Sequence, residues 1–506
     1  MHRPIHRRTL LVTAAALPIA WPARAQPAAH RLTVLHINDV HSRHTPVDAR
    51  AMSCMPGAPA CYGSTPRLAT AIKRQREAAE RVGRLVILLD AGDQFQGSLF
   101  YTAHHGMAEL AVQHEVGVDA MAVGNHEFDN GPETLAHYLN GARFPVLSAN
   151  VDAANEPALA GRIAPFTVLD RGGLRIGVIG LTTPETAITS SPGPRVFFAA
   201  PAPALAAAAA AARAQGAQVL ILLSHLGFPI DRTLPVTDLA LIVGGHSHVV
   251  LANDEPEAIA PDPSPGGGGT PIVQAGAYAR YLGRVDLDMA ADGTVLALAA
   301  ACHHVGLDTP EDPGTAAIVA RFAAPLEALR NRPVATLAEP LDLTGCRIGP
   351  CRIGTLLAET LRAAAHGAQV GLINAGGIRT GLPAGPITLG QVLEAIPFGN
   401  TLATLSLSGA ALQEAVQHGF SMTGRGGYPQ WAGLRVQLAP PLIEVEQNGA
   451  WTPLDPAARY LVATNNFLRS GGDGYTVLRD RAEDAYDTGP PLADLFADAL
   501  AKMPRP

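Results

Sequence analysis

Charge is scarce in this chain. Only 16% of its 506 residues are charged, and the net charge is a mild -7. That balance leaves no basic footprint for a nucleic-acid polymer. Cysteine is thin too, at five residues. Neither close pair of cysteines has the CxxC spacing of a zinc ribbon, which sets aside a Cys-rich metal loop. Past the N-terminal segment, no uninterrupted apolar run reaches the roughly twenty residues that span a bilayer. Stable membrane insertion of the mature chain is therefore not expected. Repeats of solenoid type are missing. The "GGGG" at 266–269 lacks the Lys-Ser/Thr ending and following helix of a P-loop, so it reads as flexible chain.

Hydrophobic residues make up 47% of the chain, a globular proportion, and the length predicts about two to four domains. The N-terminus reads as an export signal over residues 1–25. Arg7 and Arg8 precede an apolar stretch from Thr9 to Trp21 and the small-residue site Ala23-Arg24-Ala25. Paired arginines predict the twin-arginine export machinery as a partner and the periplasm as destination. No cysteine follows the cleavage site, so no lipid anchor is expected there. An oxidising compartment suits two local disulfides, Cys54–Cys61 and Cys346–Cys351, with Cys302 left over.

Apolar runs recur and end in polar residues: "LTVLHINDVH", "RLVILLDAGDQ", "DAMAVGNHEFD", "RIGVIGLTTPE", "VLILLSHLG" and "LALIVGGHSH". Helical stretches at 65–82, 103–116 and 203–215 lie between some of them. Strands alternating with helices predict an α/β layered domain, with sites gathered where loops leave the carboxyl ends of strands. The segment 251–271 is a Pro/Gly-rich surface loop. A helix near 313–332 precedes a change of pattern and is placed as connector.

The polar strand ends share one chemistry. Asp39 and His41, Asp93, Asn125 and His126, His225, and His246 and His248 bring carboxylate, amide and imidazole donors, all hard or borderline metal ligands. Such ligands suffice for two cations if one carboxylate bridges, and Asp93 is the candidate for that bridge. Two cations about 4 Å apart can clamp the attacking and leaving oxygens of a phosphoryl displacement. His36, His44, His104 and His105 match no ligand position and read as surface or supporting residues. Gln96 could line the pocket or cap a loop.

The order D-x-H … G-D … G-N-H-E … H … G-H-x-H resembles the calcineurin-like dinuclear metallophosphoesterases. With "CRIGPCRIG", "NAGGIR", "IPFGN" and "NFLRSGGDGY" from the second half, the chain resembles the bacterial and animal 5′-nucleotidase family from about residue 30 to its end. The resemblance implies a four-layer α/β/β/α sandwich over 26–312, a connector helix and hinge over 313–332, and an α+β substrate-binding domain over 333–506. It implies two divalent metal ions (Zn, Mn or Co). Asp39, His41, Asp93 and His248 would hold one, and Asp93, Asn125, His225 and His246 the other. His126 would face substrate, its ring held by Asp129. Arg347 and Arg379 would grip phosphate, because a guanidinium fork pairs phosphate oxygens bidentately. Phe398 and Phe467 would stack on a base, Asn374 would touch the base or ribose edge, and Asp473 would accept from ribose hydroxyls.

The expected activity is release of phosphate from nucleoside 5′-monophosphates, extending to di- and triphosphates or nucleotide sugars. Alternatives are a 2′,3′-cyclic-nucleotide phosphodiesterase with 3′-nucleotidase activity and a secreted nucleotide-binding protein without turnover. A thiosulfohydrolase of the same superfamily ranks lower, having no use for paired stacking rings.

Overall fold

The computed structural model describes residues 28–48, 54, 61–235, 238–251, 269–438, 441–447, 449–486 and 489–503. The expected export signal and most of the Pro/Gly-rich loop lie outside the described residues. Two six-stranded sheets form the first domain. One runs in the order Val295–His304, Tyr281–Met289, His30–Ile37, Leu85–Asp90, Ala120–Ala122, Val146–Leu147. The other runs Val250–Leu251, Ile272–Ala275, Leu241–Gly244, Val219–His225, Leu174–Thr182, Phe166–Arg171. The middle strands of each are parallel; the first sheet is antiparallel at the Val295–His304 edge and parallel at the Val146–Leu147 edge, and the second is antiparallel at both edges.

Side chains alternate across a strand, so each run supplies two faces. Leu32, Val34, Ile87 and Leu89 meet Ile176, Val178, Ile221 and Leu223 between the sheets. The intervening Leu35 and Leu88 pack on Leu68, Ile72 and Leu110 of the helices Thr65–Arg81 and Met107–Val116. Leu220 and Leu222 pack on Leu205, Ala208 and Ala212 of the Ala-rich helix Pro201–Ala214. Helix, sheet, sheet, helix is the expected four-layer sandwich. Truncating one central residue, as in Leu223→Ala, would cost roughly 2–5 kcal/mol.

Two expected helices are interrupted. The stretch 103–116 is broken where His105 (φ 48°) and Gly106 (φ 91°) turn left-handed between Leu99–His104 and Met107–Val116. A Cβ at Gly106 would collide with the Phe95 ring, so the break lets the chain approach that core residue. The connector starts at Asp312, whose carboxylate accepts from the Thr315 amide at 2.9 Å. It runs Pro313–Ala323, tightens to a 3₁₀ turn at Ala324–Leu326, and ends as the short helix Glu327–Arg330. Pro325 has no amide hydrogen to continue the ladder.

The second domain is α+β, as expected. A five-stranded mixed sheet runs Pro429–Ala432, Val370–Asn374, Arg459–Asn465, Leu402–Ser408, Glu483–Tyr486. Ile353, Leu357 and Leu361 of helix Arg352–Ala364 and Phe496 of helix Leu492–Ala501 share one core. Leu412 and Val416 of helix Gly409–Ser421 share the other. Cys54 is joined to Cys61 and Cys346 to Cys351, and Cys302 is buried outside both pairs. Between the domains, Leu99, Phe100, Ala108 and Leu326 cluster with Phe322 and Leu393. No helix among the described residues is long and apolar enough to cross a membrane.

Candidate active site

Each donor of the first domain leaves the carboxyl end of a parallel strand. Asp39 and His41 follow His30–Ile37, Asp93 follows Leu85–Asp90, and Asn125 and His126 follow Ala120–Ala122. His225 ends its strand, and His246 and His248 follow Leu241–Gly244. Five of these residues have left-handed backbone: Asp39 (φ 49°), His41 (φ 51°), Asp93 (φ 56°), His246 (φ 70°) and His248 (φ 56°). That conformation costs on the order of 1–2 kcal/mol per residue and persists only where neighbours over-determine it. Here they do. The Asp39 amide donates to Gly92 O at 2.9 Å, and the His41 amide to Asp93 O at 3.1 Å. Glu127 accepts from the amides of Asp93 (3.0 Å), Gln94 (2.8 Å), Phe95 (3.2 Å) and Gly124 (2.6 Å), pinning two loops with one carboxylate. A Cβ on Gly245 would lie 2.9 Å from both Ala91 O and His225 Nδ1, so the close approach of these loops needs glycine.

The donors converge. Asp39, His41 and His248 offer ligand atoms within 4.8 Å of one another, and so do Asp93, His225 and His246. His41 Nε2 lies 3.1 Å from His248 Nε2 and 3.8 Å from Asp93 Oδ2. His225 Nε2 is 3.1 Å from the same Asp93 oxygen, which therefore sits between the two sets. His246 Nδ1 is 2.9 Å from Asn125 Oδ1. The outer nitrogens are already engaged: His41 Nδ1 with Phe95 O at 3.0 Å, His225 Nδ1 with Ala91 O at 2.7 Å. Donating there turns Nε2 of each ring inward, and that of His225 is buried facing Asp93 Oδ2. Oxygen and nitrogen lone pairs facing one another this closely suit divalent cations.

Protonation supports the same fit. Burial, helped by the Arg379 charge, holds His41 well below the usual imidazole range. Burial, helped by His225, pulls His246 down to about 4, so both rings are neutral and ligand-competent at pH 7. Burial would lower His225 as well, but the Asp93 carboxylate outweighs it and lifts the ring to about 10. A cation between the two would take that proton's place.

His126 Nδ1 lies 2.5 Å from Asp129 Oδ2, and Ser190 Oγ donates to the other Asp129 oxygen at 2.9 Å. Burial works against a charged His126. The carboxylates of Asp129 and Asp93 outweigh it and raise the ring above its ordinary value.

The second-domain residues line the same cleft. A cavity of about 770 Å³ is walled by Asp93, Asn125, His126 and Asp129 on one side and Arg347, Asn374, Arg379, Phe398, Phe467 and Asp473 on the other. Arg379 Nη2 donates to His41 Nε2 at 3.4 Å, and its guanidinium lies 5.9 Å from the Phe398 ring. Phe398 is in turn 5.9 Å from the His126 ring. Burial and the neighbouring Arg379 charge pull Arg347 below its ordinary value. Asn374 Nδ2 donates to Asp473 Oδ2 at 2.7 Å, and burial lifts Asp473 to about 6 against that hydrogen bond. Phe467 packs against Gly472, where a Cβ would meet the ring at 2.5 Å.

Some supporting residues escaped the sequence reading. Asn38 donates to Asp39 Oδ2 at 2.7 Å and to Gly276 O at 2.6 Å, and Tyr278 packs on His41 and His248. The GNHE motif pointed to Glu127 without its task. His36 is a correction: it is a core residue rather than a surface or supporting one, fully buried against Gly283, and burial drives it to about 3. His44 is buried on Thr65 (3.0 Å) and Glu109 (3.3 Å), and His104 faces Phe322 O at 2.9 Å. Gln96 is buried with neither polar side-chain atom engaged, and it does not line the cleft.

A four-layer sandwich with Asp, His and Asn donors at its strand ends is the frame of the calcineurin-like phosphoesterases, whose family model matches residues 32–250. The model for the 5′-nucleotidase C-terminal domain matches residues 333–480. The chain is 30% identical to the 5′-nucleotidase of Homo sapiens over 98% of its own length and 92% of that protein's. It is 34% identical to a solved 5′-nucleotidase precursor from Thermus thermophilus, with a TM-score of 0.84 over 93% of this chain and 96% of that one. A trifunctional nucleotide phosphoesterase protein of Bacillus subtilis is 33% identical over 93% of this chain, which spans only 34% of that longer protein. The chain belongs to the 5′-nucleotidase family and is a metal-dependent phosphoester hydrolase.

Proposed function

We propose that this chain is an exported nucleotide phosphohydrolase that releases phosphate from nucleoside 5′-monophosphates. The observation that carries the reading is the single cavity shared by the cation-ligand cluster and the Arg347, Arg379, Phe398, Phe467 set. Its volume falls within the usual range for a small-molecule site. Asp39, His41 and His248 with Asp93 would hold one divalent cation, and Asp93, Asn125, His225 and His246 a second. When bound, such cations acidify water and draw charge from phosphoryl oxygens.

The chain's own groups divide the remaining work. Arg347 and Arg379, with no carboxylate on either guanidinium among the described residues, grip phosphoryl oxygens in a bidentate fork. His126 carries its proton at Nε2 and donates to the oxygen on which charge develops, while Asp129 holds the ring and Ser190 holds Asp129. Phe398 and Phe467 stack on the base, and Asp473, oriented by Asn374, accepts from ribose hydroxyls. Residues 26–312 form the catalytic domain, 333–506 the substrate domain, and the connector between them the hinge. Export of the chain to the periplasm rests on the twin arginine and on residues 1–25.

The test is phosphate release by the purified mature chain with Mn²⁺ on AMP, ATP, UDP-glucose and 2′,3′-cyclic AMP. Turnover of AMP that is lost in His126→Ala supports the reading. Turnover of the cyclic substrate alone would make the chain a cyclic-nucleotide phosphodiesterase. Nucleotide binding with no turnover on any substrate would make it a binding protein.

A further inference from the structure

Tyr278 engages one half of the ligand cluster and not the other. Its amide donates to Asp39 O at 2.8 Å. Its ring centroid lies 5.8 Å from that of His41 and 5.4 Å from that of His248, edge-on to the latter at 81°. These three residues make up one of the two converging donor sets. In the other set, His225 and His246 pack on each other at 5.3 Å. Among the described residues, neither makes a ring contact with Tyr278.

The other side of Tyr278 looks toward the second domain. The Arg43 guanidinium lies 5.9 Å from the Tyr278 ring, and Arg43 Nη1 is 3.4 Å from Glu394 Oε2 on helix Leu389–Ala395. Both charged side chains are buried, at 2% and 7% exposure, so the pair lies inside the domain interface rather than at its rim. Tyr278 also walls a second cavity of about 320 Å³ together with Arg347 and Arg379. Its backbone is left-handed at φ 63°, a conformation that is a genuine outlier for a bulky residue and one that glycine would hold without strain. An aromatic ring kept at such a place must return more than the backbone costs.

We propose that Tyr278 is a positioning residue that braces the Asp39–His41–His248 half of the metal centre and, through Arg43 and Glu394, couples that half to the seating of the second domain. The inference rests on the two-cation reading. The ring fixes the orientation of two ligating imidazoles, and its amide fixes the backbone of the third ligand. Supporting groups of this kind set metal affinity by about 10–100-fold.

The experiment is a Mn²⁺ titration of the metal-free full chain, followed by the electron paramagnetic resonance signal of free Mn²⁺. Wild type is expected to bind two ions. Tyr278→Gly relieves the backbone while removing the ring, and should weaken one ion about tenfold and leave the other within about twofold. Tyr278→Phe should restore both, since ring and amide are kept. The double variant Arg43→Met/Glu394→Gln should weaken the same ion and spare the other. Equal weakening of both ions, an unchanged Tyr278→Gly curve, or no rescue by phenylalanine would overturn the proposal. Fewer than two ions on wild type would instead remove the two-cation reading, and this inference with it.

Discussion

The two walls of the cleft are built in opposite ways. On the first domain, donors come from short motifs at strand ends; five of them sit in left-handed backbone, and Asp39, His41, Asp93, Asn125 and His225 are buried while His246 and His248 are partly exposed. On the second, Phe398 and Phe467 are only half-buried, and the contact between Asn374 and Asp473 joins residues 99 positions apart. Holding charge in place demands fixed geometry, so the fold accepts backbone cost there. A stacking face tolerates small displacements, because a base presents the same π-surface over a range of positions. One wall is made for rigidity and the other for fit.

That contrast can be broken by substitution. The largest effect is expected for Asp93→Ala, which removes the carboxylate lying between both donor sets. Its kcat/KM should fall by at least about 10³-fold, the scale of losing a preorganised charge-stabilising group. The loss should be the same on AMP and on p-nitrophenyl phosphate, since neither substrate can do without the cations. Next comes His126→Ala, with kcat down by about 10²–10⁴-fold and KM little moved, read from steady-state kinetics on AMP.

A change on the second wall should be smaller and selective. Phe467→Ala should cost about 1–3 kcal/mol of AMP binding, roughly five- to hundredfold in KM. Hydrolysis of p-nitrophenyl phosphate, which has no base to stack, should stay close to wild type. Equal damage to both substrates would mean that the ring supports the fold rather than the ligand.

Asp473 sharpens the comparison through pH. Burial raises its carboxyl to about 6, above the ordinary value of 3.8. Its favourable contribution to stability is therefore complete below pH 3.8 and is lost as pH rises through about 6. Nucleoside binding has the opposite need, because only the carboxylate accepts from two hydroxyls. KM for AMP should rise as pH falls below about 6, and Asp473→Asn should melt higher than wild type at pH 8 while binding AMP more weakly. Thermal melts across pH with and without nucleotide check both signs. The smallest effect is expected at Arg425→Ala. Its ion pair with Glu185 bridges the domains at the cleft rim at 3.2 Å, but both partners are about half exposed. Exposed pairs contribute about 0.2–1 kcal/mol, so KM should move by less than about fivefold.

Much of the first wall was legible in the chain. Every donor singled out at a strand end arrives in the cluster, because strand ends in a parallel sheet share one edge and local spacing is enough to place them. The connector was expected as one helix over 313–332, and its break after Ala323 was missed although Pro325 stands in the sequence. His36 was misjudged for a physical reason: it continues the even-numbered face of Leu32 and Val34, so the strand carries it between the sheets whatever its polarity.

By itself, then, the sequence determined the ligand chemistry, the layered order of strands and helices, and both disulfide pairings, since each depends on residues close in the chain. What only the tertiary structure decided is which distant side chains hold those groups still. Glu127 ties together loops whose contacts lie 32 to 34 residues back, Tyr278 leans on His41 from another strand end, and Arg43 meets Glu394 across 351 residues. No spacing rule encodes such meetings, because they exist only once two sheets have packed and a second domain has closed on their edge.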